Sequence, residues 1–510
     1  MLAHVHTAAV LGIDPFPVRV DVHLASGLPS FTVVGLANGA VREGRERVTA
    51  ALKNTGFELP QRRITVNLSP ADVPKDGAAF ALPIAIGLLA AGGQARADSL
   101  GSTAFLGELG LDGSLRPVAG VLPVATRCRE SGIGTLVVPR ENAREAAMVE
   151  GLDVLAAADL REVVDHLDEV RPIARTTVDT ATLLGHEGES GLDLRDVKGQ
   201  AAAKRALEIA AAGSHNLLLI GPPGAGKTMI ARRLPGILPP LTLEEALEAT
   251  RVHSVAGYFR GGGSLVTERP FRAPHHTVSD AGMIGGGTPL RPGEISLAHH
   301  GVLFLDELAE YRRNVLEVLR QPLEEGVVRL SRARASVRYP ARFLLVAAMN
   351  PCPCGYFGDG TDRCLCDPGA VQRYQGRVSG PLLDRIDIHL HVPAVPFESL
   401  DGDDDGESSA DVRRRVAAAR AIQEARFADV AGVWANGHMR PSDLRRWCRP
   451  AARVAAMLQR AVDRTGLSAR AYHRILKVAR TIADLALSED IRIAHAAEAV
   501  HYRSLDRMRR

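Results

Sequence analysis

The chain has 510 residues, 46% hydrophobic and 24% charged, a globular mixture long enough for several domains of about 100–200 residues each. Its net charge of +3 excludes arguing for a nucleic-acid partner from bulk charge, so any such argument must come from local clusters. Six cysteines exclude a disulfide scaffold, and four of them crowd into one stretch, which points to a reducing compartment.

The N-terminus, "MLAHVHTAAVLGIDPF", has neither a basic n-region nor a sustained apolar core. The longest apolar run, "FALPIAIGLLAAGG" from Phe80, is too short to span a bilayer and predicts a buried helix. The expectation is a soluble, cytoplasmic protein with no membrane partner. Residues 1–171 mix strands with short helices. "VRVDVHLASGLPSFTVVGL" reads as a strand, a turn and a second strand, and "RRITVNLSP" as another strand. "GAVREGRERVTAALKNTG" reads as a helix with a stripe at Val41, Val48, Ala51 and Leu52, closed by Gly56. Residues 172–191 are polar and without period, and read as a linker. Residues 192–400 alternate apolar strands with helices, the α/β signature. Residues 401–410 are an acidic break. Residues 411–510 are Ala- and Arg-rich and helical, with apolar positions at Val412, Val416, Ala419 and Phe427.

"HNLLLIGPPGAGKTMIARRL" carries the strongest signal. The apolar strand Leu217 to Ile220 runs into Gly221, Pro222, Pro223, Gly224, Ala225, Gly226, Lys227 and Thr228, and a helix follows. This is a phosphate loop in its required context. Its glycines let backbone N–H groups turn toward phosphates, and the helix N-terminus adds partial positive charge. Lys227 reaches the β- and γ-phosphates of ATP, and the Thr228 hydroxyl ligates Mg²⁺. In "GVLFLDELAE", Val302 to Leu305 form a buried strand ending in Asp306 and Glu307. Asp306 holds the Mg²⁺ and Glu307 polarises the attacking water.

A third strand, "ARFLLVAAMN", ends in Asn350, which can orient the lytic water. In "SGPLLDRIDIHL", Arg385 sits at a helix end before a strand. It reads equally as an arginine finger or as a surface salt bridge. Between these segments lie Cys352, Cys354, Cys364 and Cys366, two Cys-x-Cys pairs. Four such thiolates can surround a structural Zn²⁺. A redox pair and simple packing remain open as alternatives. Adjacent histidines, His275–His276 and His299–His300, are expected to point apart, which argues against a metal there.

Taken together these motifs resemble AAA+ ATPases of the magnesium-chelatase-like group, in the ComM/YifB branch. "RPFRAPHHTVSDAGMIGGGTPLRPGEISLAHHGVLFLDELAE" and "LRQPLEEGVVRLSRA" carry the resemblance, which extends over nearly the whole chain. One departure is Ala309, where the family often has Pro. The resemblance implies a six-membered ring with ATP between neighbours and Arg385 acting on the adjacent subunit's nucleotide. "LSARAYHRIL" is similar to the lid helix with the second sensor arginine, at Arg470 or, failing that, Arg474. "VRLSRARASVRYP" matches a hairpin that faces the pore in ring-forming relatives. Arg329, Arg332, Arg334 and Arg338 would then track a phosphate backbone; by residue type alone they read as a solvated basic face. "RPFRAPHH", with Arg269 and Arg272, could form a second loop toward the pore. Aromatic residues are 4% of the chain, which favours backbone tracking over base stacking.

"ADVPKDGAAFALPIAIGLLAA" and "GELGLDGSLRPVAGVLPVATRCRESGIGTLVVP" resemble the Lon-type protease fold. The positions of its serine and lysine are Ala79 and Leu122 here, so proteolysis lacks nucleophile and base. The expected architecture is a Lon-like α+β domain (the S5 domain 2-like fold), a P-loop AAA+ α/β core and a C-terminal helical lid. The resemblance implies a helicase that drives branch migration during integration of transforming DNA. The rival from another class is a chelatase-type motor that remodels a protein partner in metal insertion.

Overall fold

The computed structural model describes residues 1–36, 39–73, 75, 77–185, 191–259, 263–332, 335–395, 406–465 and 468–503. It begins with β1 (Leu2–Leu11), β2 (Asp14–Ala25), β3 (Ser30–Val34) and β4 (Arg63–Ser69). There follow β5 (Thr103–Phe105), the short pair β6 (Glu108–Leu109) and β7 (Leu115–Arg116), β8 (Thr135–Pro139), β9 (Asp153–Ala157) and β10 (Arg175–Thr176). Eight of these form one mixed sheet in the order β10-β9-β8-β5-β1-β2-β4-β3.

Alternation sets the sheet's two faces. In β2, Val18, Val20, Val22 and Leu24 are buried while Arg19 and His23 face outward. The apolar run after Phe80 is the helix Ala81–Ala91, all but one of whose residues are buried. It lies so close to the sheet that a Cβ on Gly87 would come within 2.6 Å of Val22 Cγ2. The helix Gly39–Asn54 buries Val48, Ala51 and Leu52, while the Val41 side chain lies outside the described residues.

The strand, turn and second strand read over residues 18–36 are the end of β2 and β3, which are not sheet neighbours because β4 inserts between them. One expectation needs correction here. The segment 172–191 is not wholly a linker: β10 pairs antiparallel with β9, and a helix follows at Thr180–Gly185. A two-residue strand carries too short an alternation to read.

The core contains β11 (Leu217–Ile220), β12 (Phe271–Arg272), the small hairpin β13 (Gly285–Gly286) and β14 (Arg291–Pro292), and β15 (Val302–Leu305). A second hairpin, β16 (Val327–Arg332) and β17 (Ala335–Pro340), precedes β18 (Leu344–Met349) and β19 (Ile388–His391). The central sheet is all parallel, ordered β12-β15-β18-β11-β19. Covered on both faces, β11, β15 and β18 are buried at every position, as continuous apolar runs require.

The C-terminal helices Ser409–Phe427, Pro441–Trp447, Ala452–Thr465, Ala469–Leu485 and Ile493–His501 share one apolar cluster with the helix Ala201–Gly213 and the central sheet. Val412, Val416, Ala419 and Phe427 are all buried in it. Of the acidic break at 401–410, residues 401–405 lie outside the described residues, and Ser409 and Ala410 already belong to the helix Ser409–Phe427. The first domain also docks on the core: Gly120 N–H donates to Ser254 O at 3.0 Å. No helix among the described residues is long and apolar enough to cross a membrane.

Candidate nucleotide site and its surroundings

The chain leaves β11 at Ile220 and turns through Gly221, Pro222, Pro223, Gly224, Ala225 and Gly226 into the helix Lys227–Ala231. Gly224 and Gly226 have φ of +77° and +80°, which only glycine adopts without strain. Lys227 Nζ folds back over the loop. It donates to Gly221 O at 2.7 Å, Pro222 O at 2.9 Å and Asn350 Oδ1 at 3.2 Å. Burial pulls this ammonium below its usual range, with Asp306 and Glu307 opposing. Thr228 Oγ1 donates to Asp306 Oδ2 at 2.6 Å.

Lysine and hydroxyl from one helix start, a carboxylate after β15 and an amide after β18 therefore meet at the carboxyl ends of β11, β15 and β18. The set fits a magnesium-bound triphosphate. Loop and helix N–H groups suit the phosphates, and a hydroxyl and a carboxylate already within hydrogen-bond distance suit one hard cation. Lys227 has three donors that phosphate oxygens could take over from the loop carbonyls.

Glu307 follows β15 with φ +52°, in the left-handed region. Its N–H donates to Asp306 Oδ1 at 2.9 Å, and its Oε2 lies 3.3 Å from His276 Nδ1. Sequence reading missed His276 as a partner of Glu307, since 31 positions separate the two and no spacing rule links them.

Arg385 lies at the other end of the sheet. Asn216, just before β11, donates from Nδ2 to Arg385 O at 3.0 Å, and Asp387 Oδ2 accepts the Asn216 N–H at 3.1 Å. The Arg385 guanidinium is ion-paired with Glu324, and its buried Nε finds no partner among the described residues. Arg474 is ion-paired with Asp387. Burial alone would raise the Asp387 carboxyl, but Arg474 and His215 overcome it and hold the group well below the usual carboxylate range. Arg470 is exposed, and with Asp384, Arg385, His473 and Arg474 it lines a cleft of about 370 Å³. The two candidate sensor arginines thus share a wall with Arg385, on the amino edge of the sheet, away from this chain's own phosphate loop.

The cysteine loop leaves β18 through Asn350 and turns onto the phosphate loop. Gly355, at φ +89°, sits so close that a Cβ there would lie 2.5 Å from Pro223 Cδ. Gln375 Nε2 donates to Pro351 O at 2.9 Å. All four cysteines of the loop are free thiols, and their sulfurs converge: Cys352–Cys354 3.3 Å, Cys352–Cys364 3.9 Å and Cys354–Cys364 3.7 Å.

The hairpin β16–β17 alternates cleanly. Val328, Leu330, Val337 and Tyr339 are buried, while Arg329, Ser331, Ser336 and Arg338 are exposed. Arg329 and Arg338 are directly cross-strand, side by side on one face. The tip, with Arg334, lies outside the described residues, as does the Arg332 side chain. The buried face rests partly on the first domain, where a Cβ on Gly12 would come within 2.8 Å of Val337 Cβ.

Other candidates fare differently. Arg269 donates to the carbonyls of Pro239, Pro240 and His300 and pairs with Glu245. Arg272 is bidentate to Glu294. Both are internal braces rather than a loop free to face a pore. The expectation that His299 and His300 point apart is wrong, whereas His275 and His276 turn to different partners, Thr277 and Glu307. His299 and His300 both direct Nε2 at Glu248 Oε2, at 3.1 and 2.7 Å. Yet His299 Nδ1 accepts the Arg342 N–H at 3.0 Å, so its proton sits on Nε2 and leaves no lone pair there for a metal. Ala79 and Leu122 belong to one apolar cluster. Lys75 nearby in sequence is fully buried, and its Nζ has no hydrogen-bond partner among the described residues.

Three family descriptions match this chain in succession. "Subunit ChlI of Mg-chelatase" covers residues 20–142, "Magnesium chelatase, subunit ChlI" residues 193–400, and "Magnesium chelatase, subunit ChlI C-terminal" residues 406–503. Competence protein ComM of Haemophilus influenzae is 46% identical over 99% of this chain and 98% of its own length. The chain belongs to the ComM/YifB family of magnesium-chelatase-like AAA+ proteins. YifB of Escherichia coli is 45% identical over 99% of this chain and 98% of that protein. Lon protease 2 of Bacillus subtilis is 27% identical over 133 residues, 26% of this chain and 23% of that protein. The ComM/YifB chain thus joins a Lon-like domain to an AAA+ core of an ATPase family and a helical C-terminal region.

Proposed function

We propose that this protein is an ATP-driven motor, assembled head to tail into a ring, that moves on DNA. Within that reading it is a helicase promoting branch migration as transforming DNA is integrated by recombination. The two separated half-sites support the ring. Lys227, Thr228, Asp306, Glu307 and Asn350 gather at the carboxyl edge of the sheet, while Arg385, Arg470 and Arg474 gather at the amino edge. A heterologous contact whose rotation closes makes a ring and apposes one edge to the other at every interface; a hexamer fits the family.

Bound MgATP supplies the scissile phosphoanhydride and the cation that draws charge from it. Lys227 and the loop N–H groups hold the phosphates, and Thr228 and Asp306 hold the cation. Glu307, oriented by His276, takes the proton of the attacking water, which Asn350 helps to position. Arg385, with Arg470 beside it, stabilises charge on a neighbour's nucleotide.

The observation that carries the DNA reading is the cross-strand pair Arg329 and Arg338 on the exposed face of β16–β17. Like charges directly opposite one another are unfavourable in a sheet unless something anionic lies across them; among the described residues Glu325 pairs with Arg329 and not with Arg338. The competence protein among the relatives agrees with a DNA substrate, and clustered free thiols fit a cytoplasmic setting. The test is a labelled three-strand DNA junction with ATP and Mg²⁺, following strand displacement and phosphate release together, with Lys227→Ala as control. Displacement that needs ATP and Lys227 is expected. ATP hydrolysis with no DNA binding or stimulation would overturn the DNA reading in favour of a chelatase-type motor acting on a protein.

A further inference from the structure

The loop 351–367 has almost no core of its own. Leu365 is 90% exposed and Phe357 41%, and Gly, Pro and Asp residues fill much of the rest. What converges inside it is sulfur. A tetrahedral thiolate site with Zn–S bonds of about 2.3 Å places its sulfurs about 3.8 Å apart. Three of the separations here are 3.3, 3.9 and 3.7 Å, and all four sulfurs lie within 4.8 Å of one another. That is too far for disulfides, at about 2.05 Å, and too tight to enclose a multi-iron cluster. The Phe357 N–H also donates to Cys352 Sγ at 3.3 Å, the kind of contact that supports a thiolate ligand.

The placement of these sulfurs matters as much as their spacing. Cys352 lies two residues after Asn350, which accepts from Lys227. Cys354 immediately precedes Gly355, which seats against Pro223. The first two ligands therefore bracket the contact between this loop and the phosphate loop, and the other two tie its far end back to the same point.

We propose that Cys352, Cys354, Cys364 and Cys366 hold one Zn²⁺, and that this ion clamps the phosphate loop so that nucleotide and zinc each strengthen the other's binding. The thiols bind as thiolates, so uptake of the ion releases their protons to solvent. Four protein ligands leave no open position, and the ion's role is structural. The clamp rests on reading the Gly221–Thr228 loop as the ATP site, whereas the zinc site itself does not.

The test uses the full chain and no DNA. Metal content is measured by elemental mass spectrometry, and Co²⁺ replacement by visible absorption. One zinc per chain and a tetrahedral four-thiolate Co²⁺ spectrum are expected. Cys364→Ser/Cys366→Ser should lose both. A non-hydrolysable ATP analogue should bind about tenfold more weakly to the metal-free protein, and by reciprocity should tighten zinc by the same factor against a competing chelator. Gly355→Ala separates the two claims: it keeps all four ligands but pushes a methyl into Pro223, so zinc should stay while analogue affinity falls. Absence of zinc from protein purified without chelator, iron in its place, or a Co²⁺ spectrum lacking thiolate character would overturn the site. Stoichiometric zinc whose removal changes analogue affinity less than about twofold would overturn the clamp. An analogue that fails to bind the zinc-loaded wild type would instead sink the ATP reading and, with it, the clamp, leaving the metal site standing.

Discussion

Mixing two inactive variants should restore ATP hydrolysis. Lys227→Ala removes the phosphate-side cation, and Arg385→Ala removes the guanidinium on the far edge. Each alone should lose most turnover, by about a thousandfold for the arginine. Asn216, just before β11, contacts the Arg385–Asp387 backbone, and Gly221 directly follows the strand. Five residues at roughly 3.3 Å each put Arg385 about 17 Å from its own phosphate loop. An extended arginine side chain reaches roughly 7 Å by standard bond lengths. An arginine acting on ATP here must act on a neighbour's. In an equimolar random mixture about a quarter of the interfaces join an intact Lys227 to an intact Arg385. Phosphate release should therefore recover to about a quarter of wild type after subunit exchange, while each variant alone stays at background. Mixed rings verified by native mass spectrometry, yet without recovery, would refute the two-edge assignment.

Replacing Arg329 and Arg338 together by Ser should lower the slope of log affinity against log salt for DNA by about 2, one for each lost phosphate contact, with basal ATPase kept. Arg474→Ala should destabilise the C-terminal region by about 3–5 kcal/mol, because it strands the buried Asp387 without its ion-pair partner. Urea unfolding followed by the fluorescence of Trp434 and Trp447, the chain's two tryptophans, reads this directly. Acid should loosen the core around Glu248. Burial pushes His299 down to about 4 from an ordinary 6.5. An unfolded chain therefore binds a proton between those values that the folded chain refuses, and stability falls as pH drops through the window, by about 3 kcal/mol in all. Hydrogen bonds from His299 and His300 hold the Glu248 carboxyl down as well, so its contribution is present above its ordinary 4.5 and is lost as pH falls further. His299→Gln should flatten the profile between pH 6.5 and 4 in pH-dependent urea titrations.

The sequence by itself determined the elements whose physics is local. The Leu217–Ile220 strand, its glycine turn and Lys227 follow one another within a dozen residues, and each step is dictated by apolar continuity or by the need for positive φ. The buried run after Phe80, the stripe at Val412, Val416, Ala419 and Phe427, and the missing nucleophile at Ala79 are likewise matters of residue type and spacing. Tertiary structure decided what depends on distant segments meeting. No periodicity says that β4 separates β2 from β3, since strand order is set by which edges find partners after the chain has turned. His276 reaches Glu307, and His299 and His300 converge on one carboxylate, because packing orients side chains that sequence adjacency leaves free. Arg385 and Arg470 were legible as candidates, but which edge of the sheet they occupy was not. That depends on the three-dimensional course of β11 and β19, whose parallel pairing puts their beginnings at one edge and the phosphate loop at the other.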